Sequence, residues 1–359
     1  MKASRDLGRF AALSVVAAFA FLAFTNSVSA QSTIRDLGTL GGSYGIAYDV
    51  SNRGQVVGYS QNTAGDYHAF SFAGGTMTDL GTLGGTFSTA YGVNDAGQVV
   101  GQSETAAGEN HAFVWSRSTG MKDLETFPGQ SWSLAEDINK GGRVAGEAVV
   151  GLDPYGFPIT HAVLWSGRVM RDLGTLGGRD SSGLGINDGG VVVGTSLVPP
   201  DSNGNVQTHA FMWTASSGMT DLGVLGGTAG SIAYAIDNNG DVVGQSSTSQ
   251  TFPGGGCCEI HAFRWTQGGG MQDLGVLGGH FSGARAISSD GVIVGLFETS
   301  SGDVHGAVWS NGTMADLGAL ENGFFSDAEG INDQGVVAGG SCAVNCTVVH
   351  AVLWTLTDA

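Results

Sequence analysis

One phrase, written seven times, constrains this chain more than any other feature. Asp-Leu-Gly-x-Leu-Gly-Gly or a close variant begins at Asp36, Asp79, Asp123, Asp172, Asp221, Asp273 and Asp316, at intervals of 43, 44, 49, 49, 52 and 43 residues. Four phrases recur in order within each interval. The first is a run ending in Val or Ile and a polar turn, as in Tyr91-Gly-Val-Asn-Asp-Ala-Gly97. Val-Val-Gly-x-Ser (Val99 to Ser103), His-Ala-Phe-x-Trp (His111 to Trp115) and Met-x-Asp-Leu (Met121 to Leu124) follow. Each is short, rich in Val, Ile, Phe or Trp, and bounded by Gly, Asn, Asp or Ser, which is strand chemistry with turn punctuation. Residues 31–359 show no sustained 3.6-residue apolar period that would argue for helix.

Four short antiparallel strands repeated at this period form the pattern of a propeller blade. The expected fold is therefore all-β, a seven-bladed β-propeller occupying residues 31–359 as one domain. Its ends are complementary. Ile34-Arg35-Asp36-Leu37 is a fourth strand without its preceding three, and His350 to Trp354 is a third strand without a fourth. Pairing the N-terminal strand with the last three closes the ring and covers edges that would otherwise be exposed. An open β-solenoid is the alternative.

Glycine, 62 of 359 residues, serves this architecture. Gly54, Gly97, Gly142, Gly190, Gly240, Gly291 and Gly335 each follow by four residues the Val or Ile that closes the first strand. A type I turn followed by a left-handed residue requires glycine there.

Residues 1–30 carry Lys2, Arg5 and Arg9, an apolar run from Phe10 to Phe24, and Val28-Ser29-Ala30. That is the pattern of a secretory signal peptide cleaved near Ala30. No membrane span is expected in the mature chain, and the location is secreted, extracellular or periplasmic. The formal net charge of −18 repels phosphate backbones, so nucleic acid is excluded as a partner.

Together, His-Ala-Phe-x-Trp, Asp-Leu-Gly-Thr-Leu-Gly-Gly and Ile-Asn-Asp-x-Gly-x-Val-Val-Gly make the chain resemble the HAF-repeat family of exported bacterial proteins, over almost all of residues 34–354. The resemblance implies an extracellular repeat protein and carries no activity with it. The third repeat departs furthest, with Asp123-Leu-Glu-Thr-Phe-Pro-Gly, the first has Phe72 in place of Trp, and the sixth reads His305-Gly-Ala.

One histidine per repeat (His68, His111, His161, His209, His261, His305 and His350) opens the third strand, away from the axis. Seven equivalents there would not converge on a metal. A buried imidazole bonded to the Asp of Asp-Leu-Gly or the Ser of Val-Val-Gly-x-Ser is expected instead. Function is expected where the repeats differ. Between Val-Val-Gly and His, repeats 3, 4 and 5 have 14, 14 and 16 intervening residues, against 9 or 10 elsewhere. Those three loops would rise from one sector of one face. Tyr44, Phe87, Trp132, Phe281 and Phe325 start the innermost strand and could stack on a sugar or apolar ligand.

Two residues before the end of that strand stand Tyr48, Tyr91, Glu136, Leu184, Tyr234, Arg285 and Glu329. If this position lines the central channel, Glu136 and Glu329 are candidate acid and base, with Arg285 beside them. Of the four Cys, as expected of an exported chain, Cys342 with Cys346 is the easiest disulfide, leaving Cys257 and Cys258 as a strained vicinal pair or an unpaired reactive site. No metal site and no cofactor is expected. Two segments, Asp201 to Asn205 and Asp237 to Asp241, resemble the first half of a calcium loop but lack its later Glu.

The function these features point to is a secreted binding or interaction scaffold, holding a carbohydrate or protein on one face. The alternative is an extracellular carbohydrate-active enzyme, of glycoside hydrolase or lyase type, using the channel carboxylates.

Overall fold

The computed structural model describes residues 32–251, 258–342 and 346–357. The expected signal peptide with its cleavage site, and Cys257, lie outside the described residues. What is described is all-β apart from one short 3-10 turn at Leu320–Asn322, and it is arranged as a β-propeller. Among the described residues no helix is long and apolar enough to cross a membrane.

In each repeat the strands pair antiparallel in chain order, as in Gly84–Val93, Val99–Thr105, Asn110–Ser116 and Gly120–Asp123. The repeats predict seven four-stranded sheets, and five stand as separate sheets. The other eight strands form one sheet. Ser326–Ile331, Val336–Cys342, Val349–Leu356 and Ser32–Gly38 meet the strands of the first repeat at a single parallel bridge, Tyr44 to Val349. Equivalent parallel bridges link Asn110 to Trp132, Ile260 to Phe281 and Val304 to Phe325 across other joints.

The two ends of the repeat array meet. Ser32–Gly38 pairs antiparallel with Val349–Leu356, and His350 Nδ1 lies 2.6 Å from Asp36 Oδ2. On the opposite face Asn332 donates to the Ser51 carbonyl (3.0 Å), and the Asp333 N–H donates to Asn52 Oδ1 (2.8 Å). An open solenoid could not bring its terminal repeats into contact, so the array is a closed ring.

The apolar core lies between neighbouring sheets. Val100 and Ala112 of one repeat pack with Ala135, Val144, Val163 and Trp165 of the next. Burying each of the valines contributes roughly 1.5–3 kcal/mol. Glycine serves two repeated needs. The hairpin glycines have φ between 71° and 90°. The glycine of Val-Val-Gly sits opposite a bulge in the first strand, where a Cβ on Gly101 would lie 1.9 Å from the Thr89 carbonyl oxygen.

Buried serines join the sheets. Ser88 Oγ accepts the Ala69 N–H (2.8 Å) and donates to the Gly81 carbonyl (2.6 Å). Ser133, Ser181, Ser231, Ser282 and Ser326 repeat that bridge. A second series, with Ser103 as example, accepts the Leu83 N–H and donates to the Phe87 carbonyl.

Ser88→Ala leaves one buried N–H and one buried carbonyl without this partner. It should cost about 1–3 kcal/mol in urea unfolding; an unchanged midpoint would show that the bridge is dispensable. Removing residues 32–38 uncovers the Val349–Leu356 edge. The truncated protein should melt earlier and form higher oligomers on a sizing column, whereas wild-type melting and size would contradict closure by this strand.

Candidate functional site

The first strands of all seven repeats line a central cavity of about 360 Å³. Tyr48, Tyr91, Glu136, Leu184, Tyr234, Arg285 and Glu329 all face it, as strand alternation at that position predicts. The next residue is Asp in two repeats, Asp49 and Asp137, and each carboxylate reaches across a joint. Asp49 Oδ2 accepts the Val93 N–H (2.8 Å) and Asp137 Oδ2 the Ile186 N–H (2.9 Å).

Burial dominates the electrostatics of this channel. It pushes Glu136 up to about 8, aided by the neighbouring charges of Glu147 and Asp137. Burial likewise raises Asp49 to about 7 and Asp137 to about 6, although two backbone N–H groups oppose the rise in each. Asp327, two residues before Glu329 and outside the cavity lining, is pushed up to about 8 by burial and by Glu329. Glu329 is raised by burial and partly relieved by Arg285, whose Nε lies 3.7 Å from Glu329 Oε2. The Arg285 guanidinium also stacks 4.2 Å above the Tyr234 ring. Burial pulls that guanidinium down, but Glu329 and Tyr234 together raise it, so it is a fixed cation. The channel lining thus contains two carboxyls that hold protons near neutrality, Glu136 and Asp49, and one carboxyl beside a permanent cation, Glu329.

The aromatic candidates separate into two sets. Tyr44 and Phe87 join Tyr48 and Tyr91 in a second cavity of about 340 Å³, completed by Tyr59, Tyr67 and Thr89. Trp132, Phe281 and Phe325 line neither cavity. Their backbones make parallel bridges between sheets, as that of Tyr44 does. Within the second cavity Tyr48 and Tyr91 have ring centroids 5.1 Å apart, Tyr48 and Tyr59 5.8 Å, and Tyr44 and Tyr67 6.1 Å. Tyr59 and Tyr67 are not among the sequence candidates. Tyr59 was legible in principle, because it fills the variable position of Val-Val-Gly-x-Ser, where other repeats carry Gln102, Glu147 or Thr195.

The repeated histidines have the structural partner expected of them. Each bonds through Nδ1 to the Asp of Asp-Leu-Gly, as in His68 to Asp79 and His111 to Asp123, both at 2.8 Å. The serine of Val-Val-Gly-x-Ser is engaged elsewhere. Six of the imidazoles are half-buried, and only His261 is buried. Among the described residues no three His, Cys, Asp or Glu side chains converge as a metal site requires. In the two calcium-like segments, Asp201 and Asp237 accept N–H groups of their own turns. Cys342 is bonded to Cys346, and the Cys258 sulfur lies 3.5 Å from the Thr228 backbone nitrogen. The long loop of the third repeat carries exposed Leu152, Tyr155 and Phe157.

A propeller with a polar, carboxyl-lined channel is the class that fold and site together define. No family model and no curated protein matches the sequence. Among solved structures the chain is similar to an oligogalacturonate lyase in complex with manganese, at 12% identity and a TM-score of 0.57, over 92% of this chain and 95% of that one. It is also similar to a puromycin hydrolase (12% identity, TM-score 0.56, 88% of this chain). A puromycin-hydrolyzing peptidase of Mycobacterium tuberculosis matches at 13% identity and a TM-score of 0.51, over 90% of this chain. The match takes in 52% and 55% of the latter two chains, about half of each. At such identities the likeness concerns the fold alone.

The raised channel carboxyls carry a consequence for stability. Their folded values lie above the ordinary 4.5 of Glu and 3.8 of Asp, so the native state binds more protons than the unfolded chain between about pH 4 and 8. Stability contributed by the protonated forms is complete below that window and is lost as pH rises through it. The melting temperature should fall from about pH 5 to about pH 8.5, and Glu136→Gln should flatten the decline. A melting temperature that climbs over this range would contradict the assignment.

Proposed function

We propose that this protein is an exported, seven-bladed propeller that cleaves glycosidic bonds of an extracellular carbohydrate in its central channel. The count of seven follows from dividing the eight-stranded sheet at the Tyr44–Val349 bridge. That contact is the same kind of parallel bridge that links separate sheets elsewhere in the ring. Export is inferred from the N-terminal segment and agrees with the resemblance to HAF-repeat proteins and with the Cys342–Cys346 disulfide.

One observation carries the catalytic assignment. Glu136 and Glu329 line the same cavity, yet their surroundings treat them differently. Glu136, raised to about 8, retains a proton it can give to a departing glycosidic oxygen. Glu329, beside the Arg285 guanidinium, has a neighbour that favours its charged form, the state needed to take a proton or support a developing cation. Burial raises both carboxyls, and the cation beside Glu329 opposes the rise there while nothing opposes it at Glu136; a carboxyl favoured as acid beside one favoured as base is how a single site provides both. The similarity to an oligogalacturonate lyase agrees in fold but assigns no residue. A scaffold that only binds would use the tyrosine cavity and leave its ligand intact.

The deciding measurement is release of reducing ends and of unsaturated products from a panel of plant, fungal and bacterial polysaccharides. Wild type should cleave at least one substrate, with activity declining as pH rises through about 8. Glu136→Gln and Glu329→Gln should each lose about 100-fold or more. If wild type cleaves nothing in the panel, or if both variants keep full activity, the catalytic assignment fails and a binding role stands in its place.

A further inference from the structure

Five of the seven tyrosines in the chain gather at one place, between the first strands of the first two repeats and the second and third strands of the first. The cavity they form has Phe87 and Thr89 as its other lining residues and no charged side chain. Its rings are tilted or set edge to face, with centroid separations of 5.1 to 6.1 Å, so they present faces and hydroxyls in several directions. Burial raises the Tyr48 and Tyr59 hydroxyls above their ordinary range and Tyr91 to about 12, which keeps these three neutral at physiological pH.

Tyr48 and Tyr91 belong to both cavities. A ligand seated on the tyrosines therefore has the channel as its next neighbour, across walls the two spaces share. We propose that the tyrosine cavity is a sugar-binding subsite, and that it takes a neutral oligosaccharide whose chain continues over Tyr48 and Tyr91 into the channel. This rests on the carbohydrate assignment above and narrows it. The apolar face of a pyranose suits an aromatic face, and its hydroxyls suit phenol and threonine hydroxyls. Charge decides against an acidic sugar. The channel carries Asp49, Glu136, Asp137 and Glu329, and its single cation, Arg285, is already engaged by Glu329 and the Tyr234 ring. Each carboxylate of a polyuronate would enter a site without a spare counter-charge, in a chain of net charge −18. A neutral glycan has no α-proton acidified by a carboxylate, so its cleavage in this channel would be hydrolysis and not elimination.

The test is calorimetric titration of the full protein with cellohexaose and N-acetylchitohexaose as neutral probes and hexagalacturonate as the acidic one. At least one neutral probe should bind, and more tightly than hexagalacturonate. Tyr67 is 36% exposed at the rim, so Tyr67→Ala should leave the melting curve intact and weaken neutral binding about three- to tenfold. Tyr44→Leu provides a second truncation should Tyr67→Ala melt early, with the same loss expected. Tightest binding of hexagalacturonate, no binding of either neutral probe, or wild-type affinity in the truncated protein overturns the proposal. Binding that persists in Glu136→Gln and is lost in Tyr67→Ala, with no cleavage by wild type, would retain this subsite while removing the catalytic assignment. Cleavage abolished by Glu136→Gln, with neutral binding indifferent to Tyr67→Ala, would do the reverse.

Discussion

The buried serine bridge between neighbouring sheets is the interaction on which the rest of this ring depends. A propeller joint brings together the backbone of two sheets at an angle that no regular ladder can satisfy. Left unpaired, each buried N–H or carbonyl there costs as much as a lost hydrogen bond. Ser88 and its equivalents answer this with one small side chain that accepts from one strand and donates to the turn above it. Asp-Leu-Gly is shaped around the same point. Its Gly carbonyl receives the serine, and its Leu N–H returns to the previous strand, as Leu80 does to Ala69. Its Asp binds both the histidine and the N–H two residues on, as Asp79 does with His68 and Gly81.

Seen through that joint, what was legible in the sequence has a physical cause. The strands, the hairpin glycines, the complementary ends and the His–Asp pairing are all requirements of a unit that must dock on a copy of itself. Selection for docking writes the same residue at the same offset in every copy. Gly101 and its counterparts illustrate the limit of tolerance, since one added carbon would meet a backbone oxygen of the first strand. Repetition also explains the Tyr44–Val349 contact. It reproduces a bridge used at other joints, but here falls within two regular strands and so fuses their sheets.

The site was legible only in part, because a cavity is made by neighbours and not by periodicity. The position of Glu136, Arg285 and Glu329 could be read from strand alternation, and all three face the channel. The aromatic positions did not separate in the sequence, since Tyr44 and Trp132 occupy the same place in their repeats. Only Tyr44 and Phe87 have further tyrosines opposite them, supplied by Tyr59 and Tyr67 from strands of the first repeat. Nothing in the local sequence around Trp132 reports that its own second strand carries Glu147 where the first repeat has Tyr59.

The division between framework and lining also accounts for where strain is tolerated. Backbone groups at the joints are satisfied by serine, asparagine and aspartate side chains that recur around the ring, so the innermost strand keeps its course whatever side chain it points at the axis. That freedom is used against stability. Placing Glu136 and Glu329 out of bulk water with only Arg285 as counter-charge raises their affinity for protons, and a fold under selection for stability alone would replace them with residues like Leu184. Leu184 occupies the same position in the ring and shows that the fold accepts an apolar side chain there. Unfavourable carboxyls retained where an apolar residue fits are a reason to look for chemistry in the channel before looking for it on the loops.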